Sequence, residues 1–413
     1  MSRKHNASLG FIFVTILVDV IGLGIIIPIL PDLIETLTGE GLSEASRYGG
    51  WLIFTFAIMQ FIFAPVLGAL SDRYGRRRVI LFSLFGLSID YLIHAWAPTI
   101  FFLFIGRFLA GITGASITTA TAYVADISTA EKRAQNFGMI SAAFGLGFII
   151  GPVLGGVLSK YGVRFPFYAA AALSMLNFLY GLFVLPESLP HEKRRSFDWK
   201  RANPFGTLKN LRKYPVVGGL ILSIFLIHIA GHSLQSTWSF ITMFKFDWDA
   251  QHVGYSLGLV GVLIALVQGG LIRVIIPKIG EVNAVIFGFF FWGTGMLLFS
   301  LANQSWMMYA FLVPYCLGGI AGPAIQGIIS NQVPDNQQGE LQGGLTSVIS
   351  LTSIFGPLLM TNAFSFFTKE GTSYEYPGAP FAIGALLVAI AFLLSFPTLK
   401  ALRARSLNNK MRL

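Results

Sequence analysis

Six ionisable residues stand inside long apolar runs where no loop can hold them: Asp19, Asp90, His94, Arg107, His228 and His232. A charge at bilayer depth costs several kcal/mol unless it is paired or wet, so these side chains are expected to face other helices or water. A carboxyl group in such surroundings can carry a proton in one conformation and release it in another, which makes Asp19 a candidate proton site. Asp90 and His94 are one helical turn apart on one face, and so are His228 and His232. Histidine changes charge near neutral pH. The His228–His232 pair is therefore either a titrating pair or a pair of hydrogen-bonding groups; as metal ligands they would lack a third partner, and no metal is expected. Gln235 and Trp238 follow on the same run.

The elements that must position these groups are membrane helices. Hydrophobic residues make up 54% of the 413 positions and charged residues 12%, about half the usual charged share of a soluble domain. Phe alone contributes 38 residues against one cysteine, Cys316, which excludes a disulfide framework or a multi-cysteine metal site. The net charge of +10 does not point to nucleic acid, because the basic residues are scattered between apolar runs. Arg3 and Lys4 precede an apolar stretch too long for a signal peptide. Scanning for roughly 20 apolar residues gives twelve spans. They fall near 8–31, 48–70, 79–97, 99–124, 136–158, 164–186, 215–243, 252–276, 283–301, 305–330, 343–366 and 379–398. The expected fold is an all-α membrane protein of twelve transmembrane helices. Alternate connections hold nearly all the lysines and arginines, which places those connections and both termini in the cytoplasm.

The longest connection, polar, basic and broken by prolines, divides six spans from six. The expected organisation is a six-helix bundle at 1–186, a cytoplasmic basic linker at 187–214, and a second six-helix bundle at 215–413. A displacement of 205 residues superposes Gly75 on Gly280, Gly138 on Gly343, and Gly151-Pro152 on Gly356-Pro357. Duplication explains these matches, and two homologous bundles around a midplane site are a transporter architecture. There is no phosphate-loop motif, no H-E-x-x-H and no G-x-S-x-G, so ATP-driven pumping, zinc proteolysis and serine hydrolysis lack their marks. An enzyme is not expected, nor a cofactor.

Residues 68–78, GALSDRYGRRR, resemble the signature between helices 2 and 3 of the major facilitator superfamily. Gly68 would permit close packing, Asp72 could meet a helix N-terminus or an arginine, and Arg73, Arg76 and Arg77 could bind carboxylates. The resemblance implies a gating latch of Gly68, Asp72, Arg73, Gly75, Arg76 and Arg77, with Asp126 and Arg133 in AYVADISTAEKR as its partners. A plain positive-inside anchor would need only the arginines. GLGFIIGPVLGG in span 5 resembles the signature of proton-driven antiporters. Gly147, Gly151 and Gly155 share one face beside the kink expected at Pro152, a hinge made of small-residue packing. IGRFLAGITGA resembles the helix-4 motif whose arginine, here Arg107, lines the cavity and takes part in proton exchange. A static Asp90–Arg107 pair is the alternative.

Span 1, with VDVIGLGIIIPILP, is similar to the first helix of drug/proton antiporters, particularly the tetracycline-efflux branch, and so is GPAIQGIISNQVPDNQQGELQG at 322–343. This implies proton-coupled export of an amphipathic organic compound by alternating access. Asp19, Asp90, Arg107, His228 and His232 would couple protons. Asp19, Arg107, His228, His232, Gln235, Trp238 and Gln326 would line the cavity. The partners implied are a small organic substrate, protons and membrane lipid; the chain would be a monomer in the inner membrane, driven by the proton gradient. Import of a nutrient on the same fold, or a receptor that lost transport, are the rival readings. The branch's helix-8 histidine falls at Ile264 and its helix-9 aspartate at Trp292, so the cargo is not expected to be fixed by that resemblance.

Overall fold

Inside hydrocarbon the chain must satisfy its own backbone groups, and an apolar run does so as a helix. A computed structural model describes residues 3–114, 116–129, 132–197, 218–334 and 337–410, without the side chains of 3–8, 133, 134, 339, 340 and 405–410. Most of the expected linker therefore lies outside the described residues. Among the described residues there are twelve helices long and apolar enough to cross a membrane. Spans 1 to 6 are Leu9–Ile26, Leu42–Tyr74, Arg76–Trp96, Ile100–Ile127, Gln135–Tyr161 and Phe165–Val184. Spans 7 to 12 are Gly218–Phe246, Ala250–Ile279, Glu281–Leu301, Ser305–Ser330, Leu341–Thr368 and Ala379–Ala404.

Two departures from the expected limits flank the first connection, and a third is the last helix, which continues past 398 to Lys410. Span 1 stops at Ile26, because Pro28 donates no hydrogen bond and its ring opposes the preceding turn; a new helix, Leu30–Thr38, starts with Pro31 in its first turn. Span 2 begins at Leu42, since hydropathy marks only the lipid-facing part of a helix whose polar start, LSEASRY, still has helical propensity.

The chain clusters into two units. One comprises the described residues of Met1–Pro204 with Trp248–Gly261, and the other those of Phe205–Asp247 with Val262–Leu413. In the first, span 5 works with two faces. Gly147 lies against Val20, Gly151 against Gly24 and Gly155 against the Ile25 carbonyl, so the four-residue glycine spacing closes on span 1. A Cβ on Gly151 would stand 2.7 Å from the Ile21 carbonyl oxygen and 2.8 Å from Gly24 Cα. Its other face, Ile149, Pro152 and Val153, receives Gly261, Gly254 and Gly258 of the first half of span 8.

The second unit is built on an aromatic core. Trp238 meets Phe299 edge-on at 5.2 Å and Phe381 at 6.2 Å, and Tyr315 lies 5.6 Å from Phe299. Gly356 of span 11 packs against the His232 ring of span 7.

The repeat is visible in backbone geometry. Gly75 and Gly280 both leave a long helix with positive φ, at φ 101° ψ 153° and φ 79° ψ 158°, and both cap the helix that follows. Displacement by 205 residues also carries Gly114 onto Gly319. Span 4 breaks at Gly114 between Ile100–Thr113 and Ser116–Ile127, and span 10 narrows to a 3₁₀ turn at Gly318–Ile320. Span 8 carries a π-helical turn, Val267–Leu271.

Gly151→Val should lower the melting temperature of the purified protein, by about 1–3 kcal/mol of overpacking, because backbone on span 1 cannot give way. Gly145→Ala, which meets nothing within 4 Å, should melt like the parent.

Candidate functional site

The polar groups of the first unit gather between spans 1, 3 and 4. Asp90 is fully buried (0% exposed), and its Oδ2 accepts a hydrogen bond from the Arg107 guanidinium. His94 Nδ1 lies 2.8 Å from the Asp90 backbone carbonyl and 3.2 Å from Asp90 Oδ1, with its ring stacked on Phe167 at 5.7 Å. Gly106 makes this possible: a Cβ there would stand 2.7 Å from Asp90 Oδ1 and 2.9 Å from His94 Nδ1. Arg107 also lies 5.8 Å over the Phe56 ring. A guanidinium held by one carboxylate and one aromatic face is a charge kept inside the protein by specific partners.

Asp19 is different. It is 1% exposed, and neither carboxylate oxygen has a hydrogen bond of ordinary length among the described residues; the Ser116 hydroxyl of span 4 is the polar group that acts on it, at long range. One turn along, Gly22 leaves room for the Tyr91 ring, whose hydroxyl would be 2.9 Å from a Cβ at that position. The Tyr91 hydroxyl is likewise without a partner. Tyr91 adjoins Asp90 in sequence, so span 3 turns one residue toward Arg107 and the next toward span 1.

In the second unit, His228 Nδ1 bonds the Ile224 carbonyl at 2.8 Å, and His232 faces Gly356. Gln235 is exposed and Gln326 half-buried. Trp238, expected at a cavity wall, is 1% exposed among Phe299 and Phe381, so its surroundings are those of a core residue. Among the described residues no group of three His, Cys, Asp or Glu side chains could hold a metal ion.

The turn between spans 2 and 3 forms a bonded knot. Arg76 reaches Asp72 at 2.5 Å, Asp126 at 3.1 Å and the Ser71 hydroxyl at 2.6 Å. Arg77 donates to the Leu182 carbonyl and Arg73 lies over Tyr74, and among the described residues neither binds the carboxylate expected of it. Gly68 has nothing within 4 Å, which corrects the expectation of close packing there. Arg133 opens its helix, but its side chain lies outside the described residues. Glu187 was not foreseen in this knot. Its Oε1 accepts from the backbone N–H of Arg76 at 2.8 Å, capping the N-terminus of span 3, and its Oε2 fills the space a Gly75 side chain would need.

The sequence profile of the Major Facilitator Superfamily matches residues 12–311. The chain belongs to that superfamily. It is 39% identical to the class C tetracycline resistance protein of Escherichia coli, over 96% of this chain and 97% of that one. With the class B tetracycline resistance protein of Escherichia coli the identity is 35%, over 86% and 88%. Among solved structures, the human organic anion transporter MFSD10 (TETRAN) is 25% identical with a TM-score of 0.70, covering 95% of this chain and all of that one. The nucleoside transporter NupG shares the fold at a TM-score of 0.74 and 15% identity, over 95% and 98%.

In this facilitator a second acidic pair lies outside the membrane spans, within the first unit. Burial, and then the nearby Asp249 charge, push the Asp32 carboxyl up to about 6. Burial acts upward on Asp249 too, but hydrogen bonds from the His252 backbone and ring, at 2.7 Å each, bring it below the ordinary carboxylate value. Glu35 is also raised, by burial and by Asp32.

Signals for the unforeseen residues were present in part. Glu187 directly follows the end of span 6, Gly106 precedes Arg107, and the VQGG run at 267–270 marks the π-turn.

Two outcomes test these arrangements. Removing one partner of a buried pair leaves a lone charge, so Arg107→Ala should melt roughly 3–5 kcal/mol less stable. The double change Asp90→Asn with Arg107→Gln should recover the fold; recovered fold with lost transport separates a working pair from a static one. Asp32 has a folded pKa above its unfolded value, so its contribution is full below about pH 4 and is lost as pH rises through about 6. Melting at pH 5 should therefore exceed melting at pH 7.5, and Asp32→Asn should shrink that difference.

Proposed function

We propose that this chain exports an amphipathic organic compound in exchange for protons, by alternating access of two six-helix halves, 1–186 and 215–413, joined by the basic cytoplasmic linker 187–214. The single observation that carries the proton step is Asp19, buried at mid-span with no cation beside it and only the Ser116 hydroxyl, at long range, to act on its oxygens among the described residues. An ionised carboxylate without a partner is costly there, so this conformation suits the protonated form, and a conformation that admits water would let the proton leave. Arg107 and Asp90 hold the neighbouring charge, and His228 and His232 add titratable groups in the second half. One proton moving down roughly 100 mV releases about 2.3 kcal/mol, a ratio of roughly fifty in concentration.

Resemblance to tetracycline resistance proteins along nearly the whole chain supports drug export over nutrient import or a receptor without transport. The cytoplasmic latch on this reading is Asp72, Gly75, Arg76, Asp126 and Glu187, whose bonds among themselves support it, and Gly68, Arg73, Arg77 and Arg133 belong to it by resemblance. Gly147, Gly151, Pro152 and Gly155 form the hinge along which span 5 slides. The distribution of basic residues supports cytoplasmic termini and an inner-membrane location, with the protein working as a monomer surrounded by lipid.

Expression in an efflux-deficient strain should lower the accumulation of dyes or antibiotics. Asp19→Asn should abolish that effect at unchanged protein level; unchanged transport in this variant would remove Asp19 from the mechanism.

A further inference from the structure

The two halves treat their broken helices differently. In the first unit, the carbonyl of Gly114 opened by the break in span 4 accepts a hydrogen bond from the Gln60 side chain of span 2, at 2.9 Å. The counterpart break in span 10, Gly318–Ile320, is faced by Gln268 of span 8, whose Nε2 would be 3.4 Å from a Cβ on Gly319. Gln268 lies in the π-helical turn Val267–Leu271 and is exposed, and its side chain makes no hydrogen bond among the described residues. The amide that closes the break in one half is free in the other.

A second donor stands across the same step. Trp292 of span 9 packs its backbone and Cβ against Gly318, its ring reaches Gly231 of span 7, and it meets Tyr315 edge-on at 6.3 Å. Its indole Nε1 is buried and makes no hydrogen bond of ordinary length among the described residues; the Tyr315 hydroxyl is the acceptor it faces, at long range, and an incoming carbonyl could replace it. On span 7, Gly231 sits between His228 and Gln235 on one helical stripe, and Gln235 is exposed. A π-turn beside a 3₁₀ turn at mid-membrane depth is tolerated where irregular backbone lines a cavity, and π-turns recur at functional sites.

The charge around these donors is as informative as the donors. Spans 7, 8, 9, 10 and 12 contain one carboxylate, Glu281, at the very start of span 9 and within 3.3 Å of Asn331. A metal chelate would need hard oxygen ligands that these spans do not place at that depth.

We propose that Trp292 and Gln268 form a cargo subsite in the second half for an uncharged, flat aromatic group bearing a carbonyl-type acceptor. The Trp292 ring and the neighbouring Tyr315 take the apolar face. The indole N–H and the Gln268 amide donate to the acceptor, and no divalent cation takes part. The inference rests on the transport reading above only in requiring a cargo.

The test uses the full chain in inside-out membrane vesicles, with chloramphenicol as an uncharged aryl amide and tetracycline with and without Mg²⁺ as the contrasting probe. Wild type should take up chloramphenicol saturably and equally well without Mg²⁺. Trp292→Phe keeps a ring and loses the N–H, and Gln268→Ala trims an exposed side chain; each should raise the half-saturating concentration roughly three- to tenfold, with the maximal rate within about twofold. Half-saturation unchanged in both variants would overturn the proposal. So would a wild type that ignores chloramphenicol, or that carries tetracycline only when Mg²⁺ is present. Collapsing the proton gradient separates the two readings: uptake that persists without it sinks the antiport reading and leaves the subsite standing.

Discussion

A polar group inside hydrocarbon has no water to bond, so whatever breaks the apolar helices of this protein must be answered by another part of the protein. Most of the structure follows from how each break is answered. Gly114 has Gln60, Arg107 has Asp90, the N-terminus of span 3 has Glu187, and the His228 ring has the Ile224 carbonyl. Among the groups left without an answer are Asp19, Tyr91 and Trp292, which lie deep in their spans, together with hydroxyls such as Ser83, Thr119, Ser174 and Ser233.

Such answers require helices to come closer than ordinary side chains allow, and glycine supplies the distance. Gly106 brings span 4 onto the Asp90 carboxylate and the His94 ring, and Gly22 brings span 1 onto Tyr91. Gly151 and Gly24 bring the backbones of spans 5 and 1 into near contact. Without lipid-excluding hydrophobic force between helices, close packing of this kind is what holds membrane bundles together. The same contacts that stabilise the first unit therefore set the positions of its ionisable groups. A side chain at Gly106 would press on Asp90 and His94 directly and, through Asp90, on Arg107.

The fold was legible because lipid imposes a pattern that survives in hydropathy, and the candidate charges were legible because they interrupt it. Pairings were harder. Asp90 and Arg107 lie 17 residues apart on adjacent spans, and only the packing at Gly106 decides that they meet. Trp238 had the residue type of a cavity wall, but its neighbours Phe299 and Phe381 come from spans 9 and 12, which no local pattern announces. Glu187 was hidden by its place at the start of a polar linker, and the π-turn by the apolar runs on both sides of VQGG, which make one continuous span of it. Resemblance carried Gly68 into the latch for a packing role that the conformation described does not use.

Duplication gave two halves the same scaffold, and the side chains have since diverged along a recognisable line. The first half keeps its acids at depth, with Asp19 and Asp90 between spans 1, 3 and 4, while the corresponding spans of the second half carry amides, imidazoles and an indole. An acid can store a proton, and an amide or indole can donate to a neutral acceptor whatever the pH, whereas the imidazoles of His228 and His232 titrate. On the proposed assignment, the amide and indole would leave the driving ion and the cargo with separate groups. In such an arrangement the gradient and the substrate communicate through the movement of helices, and the cargo can change by substitution in the second half while the acids of the first half stay in place.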